Sequence, residues 1–327
     1  TKPTPEMLEA MMSAEDGDDV FGEDPTVLLL ERKMAQYFGK EAAVFCPSGT
    51  MSNQIAIKIN TQPQDEIICD RTAHVYNYEG GGVAYNSMVS TRLLNGDQGR
   101  FTAQDVFDNI NPDDYHYART ALISIENTVN KGGGSVYPLD VIKDIAKVAV
   151  DNKLRMHLDG ARVFNALVKS GDNPKDHGKC FHTLSVCFSK GLGAPVGSIL
   201  IGSRDAMKRA RRVRKVLGGG MRQAGFLAAA CLYALENNIM RLKQDHKRAN
   251  ELANMFEDKS YVDNILSAGT NIVILSIAPD KSAQELLDKW KSKGLLAVPF
   301  GKHEIRLVTH LGFNDDMLTQ VRDILTD

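Results

Sequence analysis

The stretch Thr183–Gly193 reads TLSVCFSKGLG, and it raises the question of what one lysine does at the end of an apolar run. The run is rich in β-branched and apolar residues, stops at Ser189, and is followed by Lys190 and two glycines. A lysine in an arbitrary strand-to-loop turn is usually a solvated surface charge. A chemical role for Lys190 therefore requires partner residues at the ends of other strands.

The chain around this stretch alternates short apolar runs with helical patterns. Residues 24–39 and 138–152 have helical spacing, and the first segment starts with Asp24-Pro25 and ends at Gly39. The apolar runs are AAVFC, DEIIC, MVSTRLL, TALISIE, LRMHLD, TLSVCFS and GSILIG. This alternation predicts an α/β fold with a mostly parallel sheet that is covered on both faces. Sites in such sheets lie at the carboxyl ends of the strands.

A different pattern begins near Gly225. Residues 226–256 read as one long helix, and NIVILSI, SAQELLDKWKSKG, LLAVPF and EIRLVTH follow as strand, helix, strand and strand. This predicts a small C-terminal α+β domain joined by the long helix. A chain of 327 residues also favours two domains. We expect a large α/β domain over residues 1–236 and the small domain over 237–327.

Composition argues against several classes of protein. The chain is 43% hydrophobic and 24% charged with a net charge of -2, and it holds no apolar segment of the roughly 18 to 20 residues that a membrane span needs. The first residues are polar and acidic, without the apolar core of a secretory signal. The five scattered cysteines favour buried thiols over disulfides or a metal site. We therefore expect a cytoplasmic protein with neither membrane nor metal.

One basic segment, KRARRVRK at 208–215, raises the alternative of nucleic-acid binding. Lys208, Arg211, Arg212 and Lys215 recur at helical spacing in a chain that is net acidic. This pattern favours a solvated helix face or a local anion site, and no nucleic-acid partner is expected.

The first candidate site segment is CPSGTMSNQIAIKI, residues 46–59. An apolar run ends at Cys46, and Ser48, Gly49 and Thr50 precede a helical pattern. Free N–H groups at a helix start, together with hydroxyls and a glycine, suit a phosphate. A Ser-Gly-Thr triplet by itself is more often a simple helix cap, and the spacing of a nucleotide P-loop is absent.

The second segment is RMHLDGAR, in which Asp159 ends a buried run and Arg162 follows. Asp159 either caps the next helix or pairs with Arg162, or it holds a protonated ring nitrogen. Lys190, among apolar neighbours, offers an amine for a Schiff base. A phosphate cradle, a strand-end aspartate and a later strand-end lysine together describe a pyridoxal phosphate (PLP) site. We expect Lys190 to carry the cofactor and the adjacent glycines to make room for its ring.

The third segment is DRTAHVYNYEGGGVA, residues 70–84. The His74 imidazole lies after the DEIIC run and can stack on a planar cofactor, while Glu79 precedes three glycines. Without the other two segments, His74 would be read as a hydrogen-bonded loop histidine.

The whole chain resembles the PLP-dependent threonine aldolases, which have the type I, aspartate-aminotransferase-like fold. The matching segments are TKPTPEM, GDDVFGEDPTV, PSGTMSNQ, AHVYNYEGGG, HLDGARVFNA, FSKGLGAPVGS, LGGGMRQAG and IRLVTH. The resemblance implies a homotetramer, a dimer of dimers, in which each active site is shared. It also implies cleavage of L-threonine or L-allo-threonine to glycine and acetaldehyde. The alternative is another type I enzyme, a β-eliminating lyase or an aminotransferase.

The resemblance also implies residue roles. Lys190 forms the Schiff base, Asp159 pairs with the pyridine nitrogen, His74 stacks on the ring, and Ser48, Gly49 and Thr50 hold the phosphate. Arg162 and Arg306 bind the substrate carboxylate, and Tyr78 and Glu79 line the pocket on the hydroxyl side. The segment with Lys215 and Arg222 reaches the cofactor pocket of the neighbouring subunit. The base that takes the hydroxyl proton is His74, Glu79 or a held water.

Two departures from the family pattern are visible. The family usually opens with a few further residues, including a serine that contacts the substrate carboxylate, and this sequence starts after that point. Val129, in ENTVN, stands where many members have a histidine near the substrate hydroxyl. We therefore expect weak discrimination between the two threonine diastereomers.

Overall fold

Each of the seven apolar runs forms a strand of one large sheet in the computed structural model, which describes residues 1–326. The strands are β1 (Ala42–Cys46), β2 (Glu66–Asp70), β3 (Ser90–Leu94), β4 (Thr120–Glu126), β5 (Arg155–Gly160), β6 (Thr183–Cys187) and β7 (Ser198–Gly202). Their order is β1-β7-β6-β5-β4-β2-β3. Strand β7 runs antiparallel to β1 and β6, and the other pairs are parallel. The predicted mostly parallel sheet is confirmed.

Helices pack against the large sheet and within the small C-terminal core, and several of them begin at a capping side chain. In the described residues they are α1 (Pro5–Met12), α2 (Pro25–Tyr37), α3 (Gly49–Asn60), α4 (His74–Asn77), α5 (Gly82–Ser87), α6 (Ala103–Phe107), α7 (Leu139–Asp151), α8 (Val163–Ser170), α9 (Pro174–Cys180), α10 (Arg204–Val216), α11 (Gly225–Asn237), α12 (Leu242–Asn254), α13 (Ala283–Ser292) and α14 (Asp315–Thr326). Helix α2 illustrates the capping, since the Asp24 side chain accepts from the Val27 N–H and Gly39 follows at φ +65°.

The C-terminal part builds a second, antiparallel sheet with its own core. Its strands are β8 (Val262–Leu266), β9 (Ile272–Ile277), β10 (Val298–Gly301) and β11 (Glu304–Val308), in the order β10-β11-β9-β8. Phe256, Trp290 and Leu307 belong to the apolar cluster that this sheet and its helices bury. Strand β8 and helix α14 were missed from the sequence. Strand β8 has half-exposed or exposed residues throughout, so its apolar signal is weak.

The predicted single long helix over 226–256 is wrong. The structure has two helices, α11 and α12, with a break at residues 238–241. The break falls at Asn238, a buried C-cap residue whose side-chain amide donates to the Leu192 carbonyl at 2.7 Å. An asparagine whose amide bonds to another segment's backbone competes with the helix, and tertiary context decides the outcome.

The two helices pack mainly on different cores, although Leu242 at the start of α12 still belongs to the large one. Helix α11 contributes Ala228, Ala230 and Ala234 to the large core, whereas Ala249 and Leu252 of α12 belong to the small one. The boundary between residues 236 and 237 stays a prediction. Within the described residues, no helix is long and apolar enough to cross a membrane.

Candidate active site

The carboxyl ends of β1, β5 and β6 surround a cavity of about 230 Å³. Six of the predicted site residues line it: Ser48, Gly49, Thr50, His74, Asp159 and Lys190. Lys190 lies three residues beyond Cys187, the last residue of β6. Segments that lie up to 142 positions apart in the sequence therefore meet at one edge of the sheet, as a parallel α/β sheet requires.

The first turn of α3 faces this cavity. The Ser48 hydroxyl accepts from the Met51 N–H at 3.2 Å, which caps the helix and leaves the Gly49 and Thr50 N–H groups at its start. Gly49 is needed for close packing, because a Cβ there would lie 2.6 Å from the Cys187 Sγ. The helix start therefore combines backbone donors, a hydroxyl residue and a positive dipole end, which suits a phosphate.

Asp159 is held by neighbours that fix its carboxylate. Its Oδ1 accepts from the Ala161 N–H at 3.2 Å, and its Oδ2 accepts from the Asn53 amide at 2.9 Å. The Asn53 oxygen in turn accepts from His157 Nε2 at 3.1 Å, and the other His157 nitrogen lies 3.0 Å from the Thr183 hydroxyl. Burial lowers the pKa of His157 to about 4, so the ring is neutral.

His74 and Glu79 form the other polar pair at the cavity. The His74 Nδ1 lies 2.9 Å from the Glu79 Oε1, and Glu79 also accepts from the amides of Asn53 at 2.8 Å and Gln54 at 2.6 Å. The hydrogen bond to Glu79 raises the pKa of His74. Glu79 is buried, so its carboxylate orients the imidazole rather than facing solvent.

The sequence did not reveal Glu126, which joins two loops of the site. Its carboxylate accepts from the His74 N–H at 2.8 Å and from the Asn130 N–H at 2.8 Å. Burial, followed by the nearby charge of Asp159, raises the pKa of Glu126 to about 7. The signal for it was available, since Glu126 ends the TALISIE strand just as Asp159 ends β5.

The two predicted carboxylate-binding arginines converge on one residue. The Asn130 Oδ1 accepts from Arg306 Nη1 at 2.9 Å and from Arg162 Nη1 at 3.5 Å. The buried Arg306 Nε has no hydrogen-bond partner within residues 1–326. Burial is the largest cause that lowers the pKa of Arg162, and the positive charge of Arg306 lowers it further. Two adjacent cations, one with an unused donor, can bind an anion between them. No sequence signal distinguished Asn130, because its role depends on a residue 176 positions away.

The remaining predicted residues lie outside the cavity wall. Tyr78 is 48% exposed with its ring centroid 5.6 Å from that of His74. Lys215 is exposed, and Arg222 pairs with Asp18 of its own chain at 2.7 Å. The assignment of Lys215 and Arg222 to a neighbouring subunit stays a prediction.

The basic segment 208–215 lies on α10 and is partly neutralised within the chain. Arg211 pairs with Glu31, and Arg214 lies 2.9 Å from Asp19 and donates to the Phe45 carbonyl at 2.8 Å.

Val129 is 1% exposed and packs against Gly99, where a Cβ would lie 2.5 Å from its Cγ1. An apolar side chain in this position supplies no proton to a substrate.

The glycines beside Lys190 meet packing and backbone requirements of their own. A Cβ at Gly191 would lie 3.0 Å from the Leu242 Cδ2, so Gly191 lets the start of α12 approach. Gly193 has φ +87°, a conformation that disfavours a side chain. That these glycines also make room for a cofactor ring stays a prediction.

The donor set of the cavity fits PLP. A helix start suits the phosphate, Asp159 can accept from a pyridine N–H, His74 offers a flat ring and Lys190 an amine. His74, Glu79 and Asp159 also bring one ligand atom each within 4.8 Å of one another, but Asn53 already donates to both carboxylates. The absence of a metal site stays a prediction.

Comparison with known proteins gives the class and then the family. The model of the β-eliminating lyase family matches residues 1–278, and the fold is that of the type I PLP-dependent enzymes. The low specificity L-threonine aldolase of Escherichia coli O157:H7 is 40% identical over 324 residues, which are 98% of this chain and 94% of that one. The Saccharomyces cerevisiae enzyme of the same name is 41% identical over 302 residues, covering 90% of this chain and 76% of that one. The chain belongs to the family of low-specificity L-threonine aldolases.

A solved structure agrees on the fold. The threonine aldolase of Leishmania major superposes with a TM-score of 0.82 at 20% identity and covers 100% of this chain and 96% of that one. The predicted family and the predicted fold class are confirmed.

Proposed function

We propose that this protein cleaves L-threonine and L-allo-threonine to glycine and acetaldehyde with PLP as its cofactor. The observation that carries the proposal is the cavity in which the α3 start, Asp159, His74 and Lys190 meet. When bound there, PLP supplies an electron sink for the pair of electrons released from the Cα–Cβ bond. The residues of the chain then have to bind, orient and move protons.

Arg162 and Arg306 bind the substrate carboxylate. Their shared contact with Asn130 fixes the spacing of the two guanidinium groups before substrate arrives. A carboxylate held by two directional donors fixes the rotation about Cα, and so sets which bond stands perpendicular to the cofactor plane. The arginines thereby select the bond that breaks.

His74 takes the hydroxyl proton of the substrate. Its Nδ1 is engaged with Glu79, which leaves Nε2 as the nitrogen that can take the proton. Glu79 is fixed by the amides of Asn53 and Gln54, so the imidazole keeps one orientation while its protonation changes. Loss of that proton and breakage of the Cα–Cβ bond release the aldehyde, and Cα is then reprotonated.

The products test this function directly. PLP-loaded protein is incubated with L-threonine and, separately, with L-allo-threonine, and glycine and acetaldehyde are quantified. We expect equal amounts of the two products. Ammonia together with 2-oxobutanoate would instead identify a β-eliminating lyase. Because Val129 is apolar, we expect the two diastereomers to differ by less than about a hundredfold in kcat/KM, about 2.7 kcal/mol.

The working form that we propose is a cytoplasmic homotetramer, a dimer of dimers, engaged in threonine breakdown and glycine formation. The described cysteines are all free thiols, which suits a reducing compartment. In the dimer, the segment with Lys215 and Arg222 completes the cofactor pocket of the neighbouring subunit.

Mixing two inactive variants tests the shared site. Lys190→Ala and Arg222→Ala proteins are each expected to be inactive, and activity should return after subunit exchange, because some pockets then hold both native residues. Activity is measured as acetaldehyde release, and exchange is followed by mass spectrometry.

A matched control separates this role from the contact of Arg222 with Asp18. Asp18→Asn removes the same ion pair but keeps Arg222, so this variant should remain active. If exchange occurs without return of activity, Arg222 acts within its own subunit.

A further inference from the structure

A second cavity lies at the end of the large sheet opposite to the active site. Its volume is about 470 Å³, within the roughly 300 to 1,000 Å³ of small-molecule sites. It is formed at the start of β5, the segment before β6, and the loop between α2 and β1. Arg155 starts β5 and Asp159 lies four residues later, so the two sites are about 13 Å apart along the strand.

Cationic side chains dominate the wall of this cavity. Lys40, Arg155 and Lys179 line it, and of these only Lys179 has a carboxylate partner within residues 1–326, Asp176 at 2.8 Å. The one acid in the wall, Glu41, uses an oxygen to accept from the Arg204 N–H at 2.8 Å. The chain as a whole is net acidic, so this concentration of unpaired positive charge is local.

Partial burial disfavours the charged forms of two of these cations, and for Lys40 the charge of Glu41 offsets this only in part. Lys40 and Arg155 are both partly desolvated, and burial is the largest cause that lowers the pKa of each. Arg209 lowers the pKa of Arg155 further, because the two guanidinium groups repel each other. An anion bound beside partly desolvated cations that lack a carboxylate partner stabilises their charged forms.

His182 adds an uncharged N–H hydrogen-bond donor to the wall of this cavity. Its Nδ1 accepts from the Met156 N–H at 2.9 Å, so the ring proton is on Nε2. Burial, then Arg155 and Lys40, lower the pKa of His182 to about 4, which keeps the ring neutral. His182 lines the cavity, and its Nε2 has no hydrogen-bond partner among the contacts of residues 1–326. The wall thus combines an ammonium, a planar guanidinium and an N–H donor.

We propose that the cavity lined by Lys40, Arg155 and His182 is a second ligand site that binds a phosphate group, either as inorganic phosphate or as a small phosphate monoester. The guanidinium fork of Arg155 matches two phosphate oxygens, and Lys40 and His182 supply further donors. The volume leaves room for the remainder of a monoester beyond the phosphate itself. This site is separate from the α3 start, which serves the cofactor.

Cys180 provides a built-in reporter of occupancy. It lines the cavity and is partly exposed, whereas Cys46, Cys69, Cys187 and Cys231 are buried. Iodoacetamide should therefore alkylate Cys180 first, at a rate read by peptide mass spectrometry. A ligand in the cavity should slow that alkylation.

The experiment uses PLP-saturated protein, so that the active-site phosphate cradle is filled. Inorganic phosphate, glycerol 3-phosphate and citrate are each titrated by calorimetry against a sodium chloride reference of equal ionic strength. We expect one phosphate per chain, protection of Cys180, and affinity about tenfold or more weaker in both Arg155→Gln and Lys40→Gln. Lys291→Gln, an exposed lysine on α13, is the control for charge and should bind like the native protein.

The three titrations distinguish inorganic phosphate from a phosphate monoester, and they also give the results that would overturn the proposal. Tighter binding of glycerol 3-phosphate assigns the site to a monoester, and equal binding assigns it to phosphate alone. No phosphate binding by native protein, or equal binding by native protein and both cavity variants, overturns the proposal. Binding of citrate but not of phosphate overturns the choice of ligand. Circular dichroism confirms that each variant is folded, and the two cavity variants test the same site independently.

Discussion

Replacing Lys190 by alanine is expected to abolish aldehyde release and the visible absorbance of the bound cofactor together. Lys190 lines the wall of the active-site cavity, and we propose that its amine is the group that attaches the cofactor. Removing the residue that forms the covalent bond should reduce turnover by on the order of 10³ or more. Acetaldehyde release and the absorption spectrum measure the two effects.

The control for this variant is Lys291→Ala, which removes an exposed lysine from α13 in the small domain. It should retain both activity and colour. Borohydride reduction followed by peptide mapping then locates the attached cofactor. A reduced adduct on any lysine other than Lys190 would contradict the assignment.

The second large effect is expected for Asp159→Asn, which should lower kcat by a factor on the order of 10² or more. The substitution keeps the size of the side chain and an oxygen that can accept from Asn53, but it removes the negative charge. We propose that this charge would keep the ring nitrogen of bound PLP protonated, so its removal would weaken the electron sink that PLP supplies. Cofactor content should stay near one per chain, because Lys190 and the α3 start are unchanged.

The alternative role of Asp159 is that of a local cap, since its Oδ1 accepts from the Ala161 N–H. In that case Asp159→Asn would keep native turnover and lower only the melting temperature. Asp144→Asn, on the exposed face of α7, is the matched control for charge. Measuring kcat, cofactor content and melting temperature for both variants separates the two roles.

The sequence predicted the large sheet well because its strands are short, apolar and separated by clear caps. All seven runs became strands of one sheet, and Asp159 and Lys190 could be placed at its carboxyl edge from chain position alone. The sequence also identified Ser48 and Gly49, because a helix start that directly follows a strand has a recognisable sequence pattern. Such features depend on local propensity and periodicity, which a sequence records directly.

The prediction of one long helix was wrong because the break depends on a tertiary contact and not on a local pattern. Nothing local at Asn238 requires a break, and the helix ends there because the amide meets the Leu192 carbonyl 46 positions earlier. Strand β8 was missed because its side chains are largely exposed, so it pairs with β9 without an apolar pattern. In both cases tertiary contacts overrode a weak or misleading local signal.

The sequence by itself thus determined the fold class, the edge of the sheet that holds the candidate site, and six of the residues that line its cavity. Only the tertiary structure decided how they are held: Asn130 between Arg162 and Arg306, and Glu126 between the loops of His74 and Asn130. It alone also assembled the cationic cavity at the opposite end of β5. The physical reason is that hydrogen bonds and charge clusters join residues distant along the chain, and no local spacing encodes which of them meet.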